Sequence, residues 1–505
     1  MNSKKKFTIE KDFNRINRNK RMFPLRPSAL FYLHVGIGLF FMFFFGRIFA
    51  PIEPLTQVGM LVMGVFVGVI WLWCFVGLLW PSLIALVAFG LTGFASFGQI
   101  MTMSFGGGVA VLLLFTMILF GSPEHVGATP YITRWFLTRK ISNNRPIVFS
   151  FVFIFATYVL AIAVNVTPAL ILMWKVLYGV LKELGYKKGE KFTSLMVVGT
   201  FLGAISGQAS LPFTGSTLAI LSVFQGASGM IVPIPQYMLL GFINSVVVFV
   251  IYCLFMKVVL NPADLSKIAN VSVDMFNKEP LPPMNKLQKA NFYGMLSFVF
   301  LVLTPSFLPY NFVLVEALNT LGATGIAIMI TGVLCVLKIE GKPILDFRAV
   351  AAKSVNWDVY VMVATALAIS GALTDDATGF VALMLSTLEP ILGGHTPAAF
   401  FVIMLLFGIF ATSFASAMVL GIAIMPVHVA FGIDAGVNLP AATATLILLM
   451  HYSIILPSAS LSAAMLWSNR EWIAGKQILK YGGFIVIVST IIAIAVIMPI
   501  SLILF

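Results

Sequence analysis

Four short clusters of small, neutral oxygen and nitrogen donors sit where a lipid-soluble chain should have none. Asn165 and Thr167 lie in AVNVTPALIL, Ala163 to Leu172. Thr214, Ser216 and Thr217 lie in LPFTGSTLA (211–219), Ser413 and Ser416 in ATSFAS (411–416), and Ser460 and Ser462 in LPSASLSAA (456–464). Amide and hydroxyl groups of this kind hold a polar ligand or a dehydrated cation without burying a fixed charge. Each cluster falls near the middle of a hydrophobic run, at about 146–181, 192–224, 397–427 and 441–467. Irregular or polar backbone at membrane depth is tolerated only where protein covers it or an aqueous cavity meets it. The clusters therefore point to a protein-lined site inside a membrane.

The elements that position them repeat. A run with a polar centre is followed by a run broken at Leu-Pro, and the order occurs twice. The offsets are similar, 47 residues from Asn165 to Pro212 and 43 from Phe414 to Pro457. A long run with Asn and Pro at its middle can enter the bilayer as a re-entrant hairpin. Proline removes a donor and clashes with the preceding turn, splitting the partner helix. Half-helices meeting at such a break aim positive dipole ends at a shared cavity, and their freed carbonyls can hold a cation. A local reading is also available for Asn165 and Thr167: a cap on the second arm, with Pro168 in its first turn.

Composition fixes the class. The 505 residues are 60% hydrophobic and 10% charged, with mean hydropathy +1.02, against about a quarter charged in soluble domains. The fold expected is an all-α polytopic membrane protein with about 11 spans in two inverted repeats, each holding a re-entrant hairpin and a broken helix. Plain spans read at about 29–49, 56–75, 77–93, 106–121, 237–259, 291–309, 312–336, 357–373 and 482–503. The expected organisation is a basic arm (1–28), a first repeat (29–259), a proline-rich linker (260–290) and a second repeat (291–505). Residues 122–145 mix Arg134, Trp135, Arg139 and Lys140 as an interfacial helix would.

The net charge of +13 is not a nucleic-acid signature, because its distribution alternates. Nine Lys/Arg fall in residues 1–26, and others in the connections around 134–145, 182–191, 257–289, 338–353 and 470–480. The connections near 50–56, 94–104, 225–236, 305–312, 373–397 and 430–440 hold none. This alternation predicts a cell-membrane protein, in a bacterial inner membrane, with its amino terminus cytoplasmic and its carboxyl terminus outside. Cys74, Cys253 and Cys335 stand in separate apolar stretches and read as packing residues.

His451 lies six residues before Pro457, and an intramembrane ionisable group is a functional candidate. It either relays a proton or sits neutral, bonded to nearby backbone. Lys175 is ten residues, ~15 Å of helix, past Asn165 and is expected to snorkel to the surface. No GxSxG, HExxH or GxxxxGK[ST] stretch occurs, so no enzyme or nucleotide-driven pump is indicated. A channel would more often use charged rings or carbonyl filters. Paired broken elements favour a secondary transporter.

The order of hairpin, broken helix, linker, hairpin and broken helix resembles the divalent anion/sodium symporters, over most of the chain after about residue 100. The resemblance implies a carrier of a di- or tricarboxylate or sulfate, coupled to sodium. It also implies an elevator movement against a dimeric scaffold, so a homodimer, with the lipid bilayer and the small anion as the other partners. No cofactor beyond the coupling ion is implied. The family's tips carry Ser-Asn-Thr and its breaks a Thr/Ser-Pro-Pro-Asn-like turn, which together form two sodium sites flanking one anion site. Here Val164-Asn165-Val166-Thr167 keeps the Asn, making Asn165 and the Gly215 backbone the sodium-site candidates. The second tip has Phe414 where Asn is expected, and neither break has the double proline. A proton-coupled or exchange carrier of another organic anion is the alternative.

Overall fold

The computed structural model describes residues 29–129, 131, 145–267, 283–306, 308, 312–414 and 416–505. The basic arm, most of the interfacial segment with Arg134, Trp135, Arg139 and Lys140, and most of the linker lie outside the described residues. Among the described residues the regular structure is helical apart from one two-stranded ribbon, Lys338–Ile339 with Lys342–Pro343. Among the described residues, ten helices are long and apolar enough to cross a membrane. The count becomes 11 if Phe347–Ser354 and Trp357–Leu373, bent by 79°, make one span.

In chain order the helices begin with α1 (Ala29–Ile48), α2 (Gln57–Phe75), the short α3 (Leu79–Gly90) and α4 (Phe97–Ser104), and α5 (Gly108–His125). The first hairpin is α6 (Pro146–Val164) with α7 (Val166–Glu183), and its broken partner is α8 (Lys191–Ser210) with α9 (Gly215–Ser228). Then come α10 (Ile234–Val259), α11 (Lys286–Leu303), α12 (Val313–Val336), α13 (Phe347–Ser354), α14 (Trp357–Leu373) and α15 (Phe380–Leu392). The second hairpin is α16 (Pro397–Phe414) with α17 (Ala417–Asp434), its broken partner α18 (Leu439–Met450) with α19 (Leu461–Ser468), and α20 (Gly475–Leu504) closes the chain.

Two expectations change. The span read at 77–93 is a helix of 12 residues, ~18 Å long, too short to cross a ~30 Å core. The connections read at 94–104 and 373–397 contain α4 and α15, whose 8 and 13 residues are too few to cross a bilayer. The first hairpin, read at about 146–181, has arms of 19 and 18 residues. The outer turns of its second arm carry Lys182 and Glu183, so they extend toward a polar layer.

Packing shows that both candidate hairpins double back. A Cβ on Gly203 would fall 2.4 Å from the Ile154 carbonyl oxygen, and one on Gly207 2.5 Å from that of Tyr158. Only glycine permits this approach, which makes α6 run parallel to α8 in close van der Waals contact. The second arm returns: Trp174 Nε1 donates to Val197 O at 3.2 Å, and farther along Tyr186 packs on Phe192. In the second half Thr412 Oγ1 lies 2.6 Å from Ser453 Oγ, and Ser458 Oγ donates to Phe414 O at 2.9 Å, so α16 runs with α18. His428 Nε2 lies 3.2 Å from Thr443 Oγ1 and Gly432 faces Leu439, so α17 runs back along it. In each half the first arm is parallel to the broken helix and the second antiparallel.

The two broken segments run in opposite directions. The exit of the second meets the entrance of the first: Gln477 Nε2 donates to Gly189 O at 2.8 Å, and Tyr178 stacks on Trp472 with centroids 4.5 Å apart. The same end gathers Lys267, paired to Glu190 at 3.0 Å, and Lys191, near Asp264 at 3.7 Å. At the other end α9 meets the end of α14, where Ser370 Oγ donates to Val223 O at 3.1 Å. Thr56 Oγ1 there donates to Ala377 O at 2.7 Å. Basic connections thus share one end and the Lys/Arg-free connections near 50–56 and 373–379 the other.

Candidate functional site

The first tip is built on one strained residue. Asn165 joins α6 to α7 at φ 103° and ψ 157°, a region that residues other than glycine occupy only at a cost on the order of 1–3 kcal/mol. Among the described residues only Glu340 is another non-glycine with positive φ. Asn165 Oδ1 accepts from Val166 N at 2.6 Å, so it does cap the second arm. The rest of its exposed side chain remains available, and Thr167 and Pro168 stand beside it in the first turn of α7.

The first break lies level with this tip. The Thr214 hydroxyl reaches Gln208 O at 3.0 Å, Leu211 O at 3.1 Å and Thr217 Oγ1 at 3.1 Å. No side chain caps the amino terminus of α9, which leaves its first N–H groups without partners of that kind. Gly215 opens the helix there, and the Val359 side chain packs against it.

His451 joins the two breaks. Its Nδ1 lies 2.8 Å from Ile447 O, and its Nε2 lies 3.1 Å from Ser216 Oγ and 3.4 Å from Thr217 Oγ1. A carbonyl only accepts, so Nδ1 carries the hydrogen, and in the neutral ring Nε2 accepts from a hydroxyl. Gln208 Nε2 donates to Ser216 Oγ at 3.0 Å. Thr214 therefore connects to the imidazole through the single hydroxyl of Thr217. The next residue, Tyr452, is buried and ties the second break to α8 and α10, with Ser206 Oγ at 3.1 Å and Asn244 Nδ2 donating at 3.0 Å.

A cavity of about 510 Å³ opens between the first tip and the first break. Asn165, Thr167, Thr214 and Gly215 line it, four of the residues selected from sequence. Facing them are groups that sequence reading missed: Glu124 and His125 at the end of α5, and Lys353, Ser354 and Asn356 at the bend between α13 and α14. Lys353 is exposed, and among the described residues no carboxylate pairs with it. Asn356 caps α14, accepting from Val359 N at 3.3 Å. The amino termini of α7, α9 and α14 converge on the cavity, each bringing partial positive charge, and the carboxyl ends of α5, α6, α8 and α13 and the Glu124 carboxylate face it as well. Lys353 is the one ammonium in this mixed lining.

The second-half candidates are not brought to this cavity. Ser413 Oγ donates to Ile409 O at 2.7 Å within its own helix. Ser416 begins α17 without a side-chain cap bond. Ser460 accepts from Ala463 N at 3.0 Å as the cap of α19, and its hydroxyl lies 3.1 Å from that of buried Ser462. Ser216 and Thr217 sit behind the cavity wall, on His451. Lys175 is exposed on α7 and does not line the cavity.

Solved structures share the architecture. The YdaH transporter of Alcanivorax borkumensis superposes with a TM-score of 0.54 at 12% identity, covering 81% of this chain and 87% of that one. MtrF of Neisseria gonorrhoeae, described within a class of antimetabolite efflux pumps, gives 0.54 at 15% identity, covering 88% and 96%. At these identities the likeness shows the fold alone. No curated protein sequence matches the chain. Residues 66–451, well over half of the chain and spanning both tips and the first break and ending at His451, match the family CitMHS, citrate transporter. The anion-carrier family expected from those tips and breaks is met in this match, and the chain belongs to the citrate transporter family.

Proposed function

We propose that this transporter carries a small multivalent carboxylate of the citrate class, coupled to sodium, by elevator-type alternating access. The observation that carries the reading is the convergence of three helix amino termini and the unpaired Lys353 on one cavity of about 510 Å³, within the range of small-ligand sites. Carboxylates would meet the uncapped end of α9 and the Lys353 ammonium. Sodium would use the Asn165 amide oxygen and the backbone near Gly215. Lys353, Glu124 and His125 adjoin the connections rich in Lys and Arg, which the positive-inside rule assigns to the cytoplasm. On that rule the cavity is open to the inside, and the carboxyl terminus lies outside.

The hairpins and broken helices are tied to one another through His451, Tyr452 and the Tyr178–Trp472 stack. Across the cavity, α5, α13 and α14 form the opposing wall. Movement of the first group past the second would carry the ligand across.

A second reading, proton coupling, rests on His451. Protonation of Nε2 turns its only acceptor into a donor, so the Ser216 and Thr217 hydroxyls must reverse. The Thr214–Thr217 pair would pass that change to the cavity wall.

Thermal unfolding of the purified protein against citrate, dicarboxylates and sulfate, each in sodium and in choline, tests the proposal. A ligand at a hundred times its Kd stabilises the native state by about 2.7 kcal/mol. Stabilisation by a carboxylate only in sodium is the expected result. Equal stabilisation in choline would transfer the coupling to protons or exchange. No stabilisation by any anion would overturn the anion reading.

A further inference from the structure

The second hairpin tip opens on something unlike the first. An apolar groove of about 810 Å³ runs between α16 and α20. One wall is the α16 face from Ile403 through Phe410 to Phe414, the other the α20 face at Ile487 and Ile491, and Ile455 of the second break closes the inner end. Its two hydroxyls are already satisfied within their helices, Ser413 on Ile409 O and Thr490 on Val486 O, both at 2.7 Å. A ligand that needs a hydrogen-bond donor would find none free on these side chains. The walls are nevertheless open: Phe410 is 65% exposed, Phe414 58% and Ile487 62%.

We propose that one acyl chain of a bilayer phospholipid occupies this groove and seats against the second tip. Both walls belong to helices of membrane-spanning length and composition, so the medium that meets them is hydrocarbon. From Ile403 to Phe414 the groove runs 11 residues, ~16 Å along the helix axis. That matches one leaflet, half of a ~30 Å core. The groove begins in the half of α16 nearest the Lys/Arg-free end and stops at the break, so the chain enters from the leaflet on that side. Phe414 O accepts from Ser458 at 2.9 Å, and this bond connects the groove floor to the moving break. An acyl chain here therefore sets the spacing between α16 and α20, independently of which anion is carried.

The test is photo-crosslinking of the full chain in proteoliposomes of phosphatidylethanolamine and phosphatidylglycerol carrying a diazirine midway along one acyl chain. Labelled peptides are then mapped by mass spectrometry. Labelling of 403–414 and 486–491 above that of the exposed α10 face at Val250, Leu254 and Val258 is expected. Ile487→Trp, which fills the groove, should abolish the 403–414 label and leave the α10 label intact, the latter reporting a folded protein. Thr490→Phe fills the same groove from the next turn and replaces Ile487→Trp if that variant misfolds. Equal labelling of groove and α10 face, a 403–414 label that survives groove filling, or crosslinks there to a second copy of the chain would each overturn the proposal.

Discussion

The two hairpin tips occupy equivalent places in the fold and face opposite surroundings. At the first, a strained Asn165 faces a cavity with Lys353, Glu124 and three helix amino termini. At the second, Ser413 bonds its own helix and Phe414 faces an apolar groove. Both hairpins run their first arm parallel and their second antiparallel to a broken helix, so topology does not cause the difference. Close glycine contacts, prolines and the apolar pattern set the path of the chain, while ligand chemistry is set by a handful of side chains. Duplicated architecture is therefore no guarantee of a duplicated site. The breaks differ as well: Thr214 and Gly215 leave a helix end uncapped at the cavity, whereas Ser460 closes its own.

The comparison breaks most severely at Asn165. Asn165→Gly allows the observed φ and ψ without the strain cost and removes the amide, while Asn165→Ala removes the amide and keeps the strain. Both variants should lose uptake in proteoliposomes, and the glycine variant should unfold no earlier than wild type. Wild-type kinetics in Asn165→Gly would show that the tip needs only its backbone path, and the chemical contrast between tips would reduce to conformation.

Lys353→Gln comes next. Loss of the one unpaired ammonium in the cavity should raise the apparent KM for the anion about tenfold, equivalent to about 1.4 kcal/mol, with Lys353→Arg retaining most of the affinity. Lys175→Gln removes the same charge from a residue outside the cavity and should leave KM in place. Equal effects from both lysines would mean that bulk charge near the membrane, not the cavity, draws the anion.

His451→Gln sharpens the comparison at the point where the halves touch. On the sodium reading it slows uptake by weakening the bond between breaks, and the pH profile of uptake keeps its wild-type shape. A profile that loses its pH dependence in the variant would favour the proton reading.

Much of this was legible in the chain itself. Asn165, Thr214 and Gly215 stand out because polar or flexible residues interrupt runs that are otherwise uniform, and the Leu-Pro breaks are local signals. The return of each arm was foreshadowed by run length alone. The close packing of α6 on α8 had its own marker, the four-residue spacing of Gly199, Gly203 and Gly207, which went unread beside the stronger breaks. Lys353 and Asn356 carried no such marker. Lys353 ends an ordinary amphipathic helix and Asn356 caps the next, and it is the 79° bend between them that faces both toward a tip almost two hundred positions earlier. The partnership of His451 with Ser216 is equally non-local. Conversely, Ser413, Ser460 and Ser462 looked like ligand groups because a hydroxyl at a break reads the same from sequence whether it meets a ligand or caps a helix.

That ambiguity gives the smallest and last effect. The Ser460 hydroxyl accepts from Ala463 N and lies beside that of Ser462, so its hydrogen-bonding capacity is engaged inside α19. Replacing a capping serine by alanine costs about 0.5–2 kcal/mol, and α19 is only 8 residues long, so the loss falls on a helix with few bonds of its own. Ser460→Ala should therefore lower the unfolding midpoint slightly and leave the apparent KM for the anion at the wild-type value. Ser462→Ala, which removes a neighbour and not the cap, should lower it less. A rise in KM comparable to that of Lys353→Gln, without a drop in the midpoint, would mean that the second break reaches the substrate in another state of the transport cycle. The contrast between the halves would then belong to one conformation, and the second-half serines would return to the site.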